Sequence, residues 1–171
     1  MIARALCKRF ANESPPEDGP DLASRTAMPD MNLTQIADAM ADIDFAMLST
    51  RSDGGQIAAR PMSNNGDVKY DGDSYFFTWN ESRMVKDIGR EPHVGLSFQG
   101  RKGLLGKPPL FISVEGSAEL IRDKTAFEKH WNKDLEIWFD KGVETPGLVL
   151  IKVHAGRIHW WDGKDDGEIT V

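Results

Sequence analysis

The chain has 171 residues, 40% hydrophobic and 28% charged, with a formal net charge of -6. That length suits one globular domain able to bury a real core. The acidic balance argues against nucleic acid and anionic membranes, which require a basic face. An anionic small ligand needs only local positive charge, so it stays open. The single cysteine, Cys7, excludes an intramolecular disulfide and a cysteine metal cluster, in keeping with a cytoplasmic protein. No apolar run reaches the roughly 18–20 residues that span a bilayer. Arg4, Lys8 and Arg9 give the first residues a faint targeting character, but no apolar h-region follows.

Residues 1–30 hold four of the nine prolines, mixed with acidic residues, and read as an extended or disordered tail. Met28 or Met31 would then serve as an alternative start. Residues 31–171 form the domain. Asn32 or Thr34 caps a helix over Leu33, Ile36, Ala37 and Met40. A strand from Ile43 to Thr50, the turn Ser52-Asp53-Gly54-Gly55 and a strand from Gln56 to Ser63 make a hairpin. Asn64-Asn65-Gly66-Asp67 turns again. Val68 to Tyr70 and Ser74 to Thr78 read as a second hairpin around Asp71-Gly72-Asp73.

A helix near Ser82 to Arg90 follows, then a strand from His93 to Phe98. Residues 99–109 form a basic loop with Arg101, Lys102 and Lys107. Leu110 to Ile121 is a long strand, and Gly116 in its middle predicts a bulge. Asp123 caps a helix carrying Phe127 and Trp131. A short helix covers Leu135 to Phe139. Leu148 to Val153 is the last strand, punctuated at Ala155-Gly156 and continued from Ile158 to Trp161. The fold class is mainly β (α+β): six or seven antiparallel strands, a small barrel rather than a sandwich, with short flanking helices.

The most informative stretch is Tyr75 to Ile88, a strand that turns directly into a helix. Ser82 or Asn80 can cap that helix. Arg83 then lies in its first turn, where a cation opposes the helix dipole. An anion at the helix N-terminus would explain the placement, because free backbone N–H groups and a guanidinium fork would both hold it. A solvated arginine beside Glu81 would explain it equally well. Arg60, before Pro61 and Met62, is the second candidate cation. Proline makes it extended and projects it near a strand end.

Of Trp160 and Trp161, only one can face a given site, because successive strand residues point to opposite faces. The histidines at 93, 130, 154 and 159 lack metal-ligand spacing with one another. No nucleophile elbow, dinucleotide fingerprint, P-loop or zinc-protease motif is present.

Arg60-Pro61-Met62, Tyr75-Phe76-Phe77-Thr78, Ser82, His93 to Phe98 and Val114 to Glu119, in that order, resemble the flavin-binding split-barrel family related to pyridoxamine 5′-phosphate oxidase. The run Trp131…Ile137-Trp138-Phe139-Asp140-Lys141-Gly142 and the ending His159 to Gly163 resemble its general stress protein 26 subgroup. The resemblance spans about residues 33–163. It implies a split barrel, and FMN in a cleft between the subunits of a homodimer. Arg60, Pro61, Met62, Phe77, Thr78 and the neighbouring Trp79 would line the ring and ribityl chain. Ser82 and Arg83 would hold the phosphate, and Trp161 would reach the flavin from the partner subunit.

Two departures from the family pattern stand out. Met84 replaces a lysine usual at the phosphate site, and an acidic ending replaces the oxidase's arginine-bearing segment. Like charge there disfavours a phosphorylated substrate. The expectation is an FMN flavoprotein of the stress-protein type that would act as a flavin-dependent oxidoreductase of unknown substrate, with no catalytic residue singled out. The alternatives are a non-catalytic flavin sensor or carrier, and a haem-binding split barrel.

Overall fold

The computed structural model describes residues 31–64, 70–101, 108–163 and 165–171. The expected tail, the turn at Asn65 to Asp67, residues Val68 and Lys69, and Lys102 to Lys107 lie outside the described residues. Among the described residues, three α-helices and seven strands follow one another: α1 (Leu33–Ala41), β1 (Phe45–Arg51), β2 (Ile57–Ser63), β3 (Asp73–Trp79), α2 (Arg83–Arg90), β4 (His93–Gln99), β5 (Leu110–Ile121), α3 (Lys124–His130), β6 (Leu148–Asp162) and β7 (Asp165–Thr170). Two 3₁₀ turns, Lys133–Ile137 and Gly142–Glu144, lie between α3 and β6.

The helix starts follow from side-chain capping. Asn32 accepts from Gln35 N, and the Gln35 side chain accepts from Asn32 N, a reciprocal box that satisfies two orphan donors. Ser82 caps α2 by accepting from Val85 N, and Asp123 caps α3 through Ala126 N.

All pairings are antiparallel, in the order β2-β1-β4-β5-β6-β3, with β7 also on β6. The first arm of the expected second hairpin, Val68 and Lys69, lies outside the described residues. Tyr70 lies outside any strand, and β3 pairs along its whole length with the first half of β6, a partner distant in sequence that local turn chemistry did not announce. β6 runs for 15 residues, unbroken through the expected punctuation at Ala155-Gly156, and then turns back into β7, which an acidic, glycine-containing sequence concealed.

The bulge falls where Gly116 placed it, but the extra residue belongs to β6. Glu115 pairs with Arg157 and Gly116 with Ala155, so Gly156 is left unpaired. The inward positions of β6 therefore change parity, from Ile151, Val153 and Ala155 to Ile158 and Trp160. That shift keeps both halves of one strand on one core.

The main core joins these residues to Ala46, Leu48, Met62, Phe76, Leu96, Phe98, Ile112 and Val114, with Ile36, Met40, Met84 and Ile88 from α1 and α2. A second cluster lies outside β3. Phe77 packs edge-on against Phe127 and Trp131, at 5.7 and 5.1 Å between ring centroids, with Phe139, Leu148 and Leu150 nearby. β3 is thus covered on both faces, which explains its run of apolar residues without alternation. The outer face of β2, β1, β4, β5 and the second half of β6 has no such cover among the described residues. It exposes Phe45, Met47, Ile57, Phe111 and Trp161.

Two predictions follow from this packing. A Cβ at Gly116 would lie 2.3 Å from the His154 carbonyl oxygen, a backbone atom that cannot swing away. Gly116→Ala should therefore destabilise by about 1–3 kcal/mol, read as a fall of roughly 2–4 °C per kcal/mol in a thermal melt; an unchanged melting temperature would contradict the crowding. Burial pushes the Asp73 carboxyl up, but hydrogen bonds from Lys152 and His154, each at 2.8 Å, outweigh it and hold it below the ordinary range. A depressed carboxyl stabilises above its unfolded pKa of about 4 and loses that contribution as pH falls through the folded value. Asp73→Asn should cost stability near neutral pH, with the gap from the parent closing in acid urea melts.

Candidate anion-binding site

The site is built where β3 ends and α2 begins, against the inward face of β2. Arg60 is in the middle of β2, opposite Leu48, and not at the strand's end as its proline neighbour suggested. Pro61 is accommodated because β2 is an edge strand whose outer side needs no ladder donor. Arg60 shares the inward face with Met62, which is buried in the main core.

The Arg60 guanidinium, 22% exposed, donates to Thr50 Oγ1 at 2.7 Å and lies 3.8 Å from Asp87 Oδ2. Thr50 donates in turn to Asp87 Oδ2 at 3.1 Å. Asp87, 2% exposed, also takes a hydrogen bond from Arg90 at 3.2 Å. Arg90 continues outward to Asp53 at 2.9 Å and to the Arg51 carbonyl at 3.2 Å. A chain of charge thus ties α2 to the β1–β2 hairpin. Sequence reasoning missed Thr50, Asp87 and Arg90. The readable signal was Asp87, three residues after Met84 and one before Ile88, a charge on a helix face that is otherwise buried and apolar.

Arg83 is the other half of the site. It is exposed and has no hydrogen bond or ion pair among the described residues. Glu81, its expected neighbour in the solvated reading, instead accepts from the Asn80 side chain at 3.4 Å. Asn80 does not cap α2; its carbonyl oxygen accepts from Arg122 at 2.9 Å. The two site arginines sense each other. Burial lowers the Arg60 pKa, Asp87 opposes that, and the Arg83 charge lowers it further. Like charges so arranged, beside the Arg83 and Met84 amides that a helix's first turn leaves without an acceptor, form a site suited to an anion.

The other expected residues divide. Ser82 spends its oxygen on the cap, and its hydroxyl proton stays free to donate. Met84 is 5% exposed and packs in the core, so it adds nothing to the charge. Thr78 shares the face of Phe76 and is buried. Phe77 and Trp79 point the other way; Trp79 packs at 5.2 Å from Phe139 and is 46% exposed. Trp161 stands far along β6 on the uncovered face, 39% exposed, opposite Phe111 and stacked on His159 at 4.0 Å. Trp160 is the buried member of that pair.

A groove of about 870 Å³ opens on the outer face around the bulge, lined by Arg51, His93, Glu115, His154 and Arg157 among others. None of the expected site residues borders it. Most of its charges are already matched: Arg157 lies 3.8 Å from Glu115 and 3.6 Å from Glu168, and His154 lies 2.8 Å from Asp73. Among the described residues no cluster of three or more His, Cys, Asp or Glu could hold a metal ion.

Comparison with known proteins places this geometry. Protein bli-3 of Neurospora crassa is 27% identical over 140 residues, covering 77% of this chain and 65% of that protein. The chain thus spans somewhat less than two thirds of that relative's length. The crystal structure of general stress protein 26 from Bacillus anthracis is similar with a TM-score of 0.66 and 27% identity, covering 82% of this chain and 100% of that one. A protein related to general stress protein 26 from Clostridium acetobutylicum superposes with a TM-score of 0.69 at 17% identity, covering 81% and 94%; it shares the split-barrel fold. The family model described as pyridoxamine 5′-phosphate oxidase like matches residues 31–171, so the chain belongs to the pyridoxamine 5′-phosphate oxidase-like family.

Proposed function

We propose that the protein binds FMN as a homodimer of the general stress protein type, with the FMN phosphate held by Arg83, Arg60 and the N-terminus of α2. The observation that carries this reading is Arg83: an exposed guanidinium without a counter-ion among the described residues, close enough to Arg60 to lower its pKa. The donor set fits a phosphate dianion in charge and in hydrogen-bond sense, since every group offered is a donor. Bound flavin would supply the electron transfer. The chain's own residues would bind the phosphate, orient the ring along β2 and the end of β3, and shield it from water.

The second subunit is inferred from the uncovered sheet face. Phe45, Met47, Pro61 and Phe111 stand on it with small neighbours Ala59, Ser49, Gly95 and Ser97 between them, a flat apolar surface that a copy of itself could cover. Trp161 lies on this face, thirteen residues along β6 from Leu148, which pairs with Trp79 at the end of β3 that leads to Arg83, so its contact with flavin would be made across the dimer. Half a site in each chain also explains why the groove of one chain does not contain the arginines.

β7 sets Asp166 beside Trp161 and Glu168 beside His159. A substrate approaching flavin near Trp161 would meet this acidic strand, which disfavours a phosphorylated substrate and supports an oxidoreductase other than a pyridoxamine-phosphate oxidase. Oxidation of a reduced nicotinamide by the FMN-loaded protein separates an enzyme from a flavin sensor or carrier. A Soret band on adding haem, with no FMN uptake, would overturn the flavin reading in favour of haem. No helix among the described residues is long and apolar enough to cross a membrane.

Arg83→Ala should weaken FMN binding about 10–100-fold while leaving riboflavin binding nearly unchanged, measured by quenching of flavin fluorescence; equal losses for both ligands would remove Arg83 from the phosphate. Met47→Glu, at the middle of the uncovered face and 41% exposed, should convert dimer to monomer in sedimentation velocity and release FMN, while the melting temperature of the separated chain stays close to that of the parent. A Met47→Glu protein that remains an FMN-loaded dimer would place the interface elsewhere.

A further inference from the structure

We propose that Thr50 and Asp87 act as a positioning pair that fixes the Arg60 guanidinium and thereby sets the preference for a phosphorylated over an unphosphorylated flavin. The proposal rests on the reading above that Arg60 and Arg83 hold the phosphate.

Arg60 can only donate, so Thr50 Oγ1 must accept from it at 2.7 Å. The threonine has one proton left to give, and the acceptor in place is Asp87 Oδ2 at 3.1 Å. A carboxylate only accepts, so the chain has a single direction, from Arg60 through Thr50 to Asp87. Both middle members are inside the protein: Thr50 is 1% exposed and Asp87 2%. Asp87 is held from its far side by Arg90, itself anchored to the β1–β2 turn.

The distances then divide the labour. At 3.8 Å, the Arg60–Asp87 contact is too long for a hydrogen bond and acts only through charge. Thr50 makes the one hydrogen bond that Arg60 forms among the described residues. A guanidinium has five N–H donors in a rigid plane. A direct two-toothed pair with Asp87 would have occupied the fork and turned it inward. The threonine spacer takes one donor, fixes the plane, and leaves the rest for a ligand. The attraction of Asp87 outweighs the repulsion that Arg83 exerts on Arg60.

The test compares Thr50→Val, which keeps the shape and removes the hydroxyl, with Thr50→Ser, which keeps the hydroxyl. Dissociation constants for FMN and for riboflavin are measured on each full-length protein, with a thermal melt as a check on folding. Thr50→Val should weaken FMN about tenfold and riboflavin less than twofold, and Thr50→Ser should restore the parent ratio. Equal weakening of both flavins by Thr50→Val, or no restoration by Thr50→Ser, would reduce Thr50 to a packing role and overturn the proposal. Arg60→Met and Arg83→Ala, measured alongside, keep the two ideas apart. If they change the FMN-to-riboflavin ratio and Thr50→Val does not, the positioning fails alone. If none of the three changes it, the phosphate reading itself fails.

Discussion

The site depends on a buried carboxylate. Asp87 is almost fully removed from water, and a lone charge there would cost several kcal/mol. It is tolerated because Arg90, Arg60 and Thr50 each give it a charge or a proton. The same requirement draws α2 onto the inner face of the β1–β2 hairpin, from which it is distant in sequence. Once α2 is held there, its N-terminus and Arg83 necessarily lie beside Arg60. The structural ion pair and the proposed ligand site are thus one arrangement, with Arg60 belonging to both. Such pairs often add little to stability compared with apolar packing, so the reason to keep one here is the placement of charge.

A second constraint comes from β6. One strand serves two neighbours on the same side, β3 along its first half and β7 along its second. The extra residue at Gly156 lets both halves face one core despite the strand's length. It also divides the outer surface. The first half is covered by α3 and the aromatic cluster around Phe77, Trp131 and Phe139. The second half, with Trp161, is left bare. The uncovered apolar face and the half-built anion site therefore have a common origin in how the sheet is partitioned.

Much of this was legible in the chain. Caps at Asn32, Ser82 and Asp123, the turn after Ser52 and the bulge near Gly116 are local signals with local causes, and the structure contains each of them. Where partners were chosen over long distances, the sequence was silent. Nothing local to β3 announced that it would pair with β6, far along the chain. β7 has a poor strand composition and forms only because β6 offers it an edge. Within the site, Arg83 and Ser82 were visible because helix termini have rules. Thr50 was not, because an inward threonine on a strand carries no signature until its neighbours are known. Phe77 and Thr78 were expected together on one ligand, but strand alternation sends them to opposite faces.

The proposed function requires two chains and two FMN molecules in one assembly, which native mass spectrometry of the purified protein reads directly. The expected species is a dimer of the 19.1 kDa chain carrying two FMN, with FMN lost when the dimer dissociates. A monomer that retains FMN, or a dimer that takes up none when FMN is supplied, would contradict it.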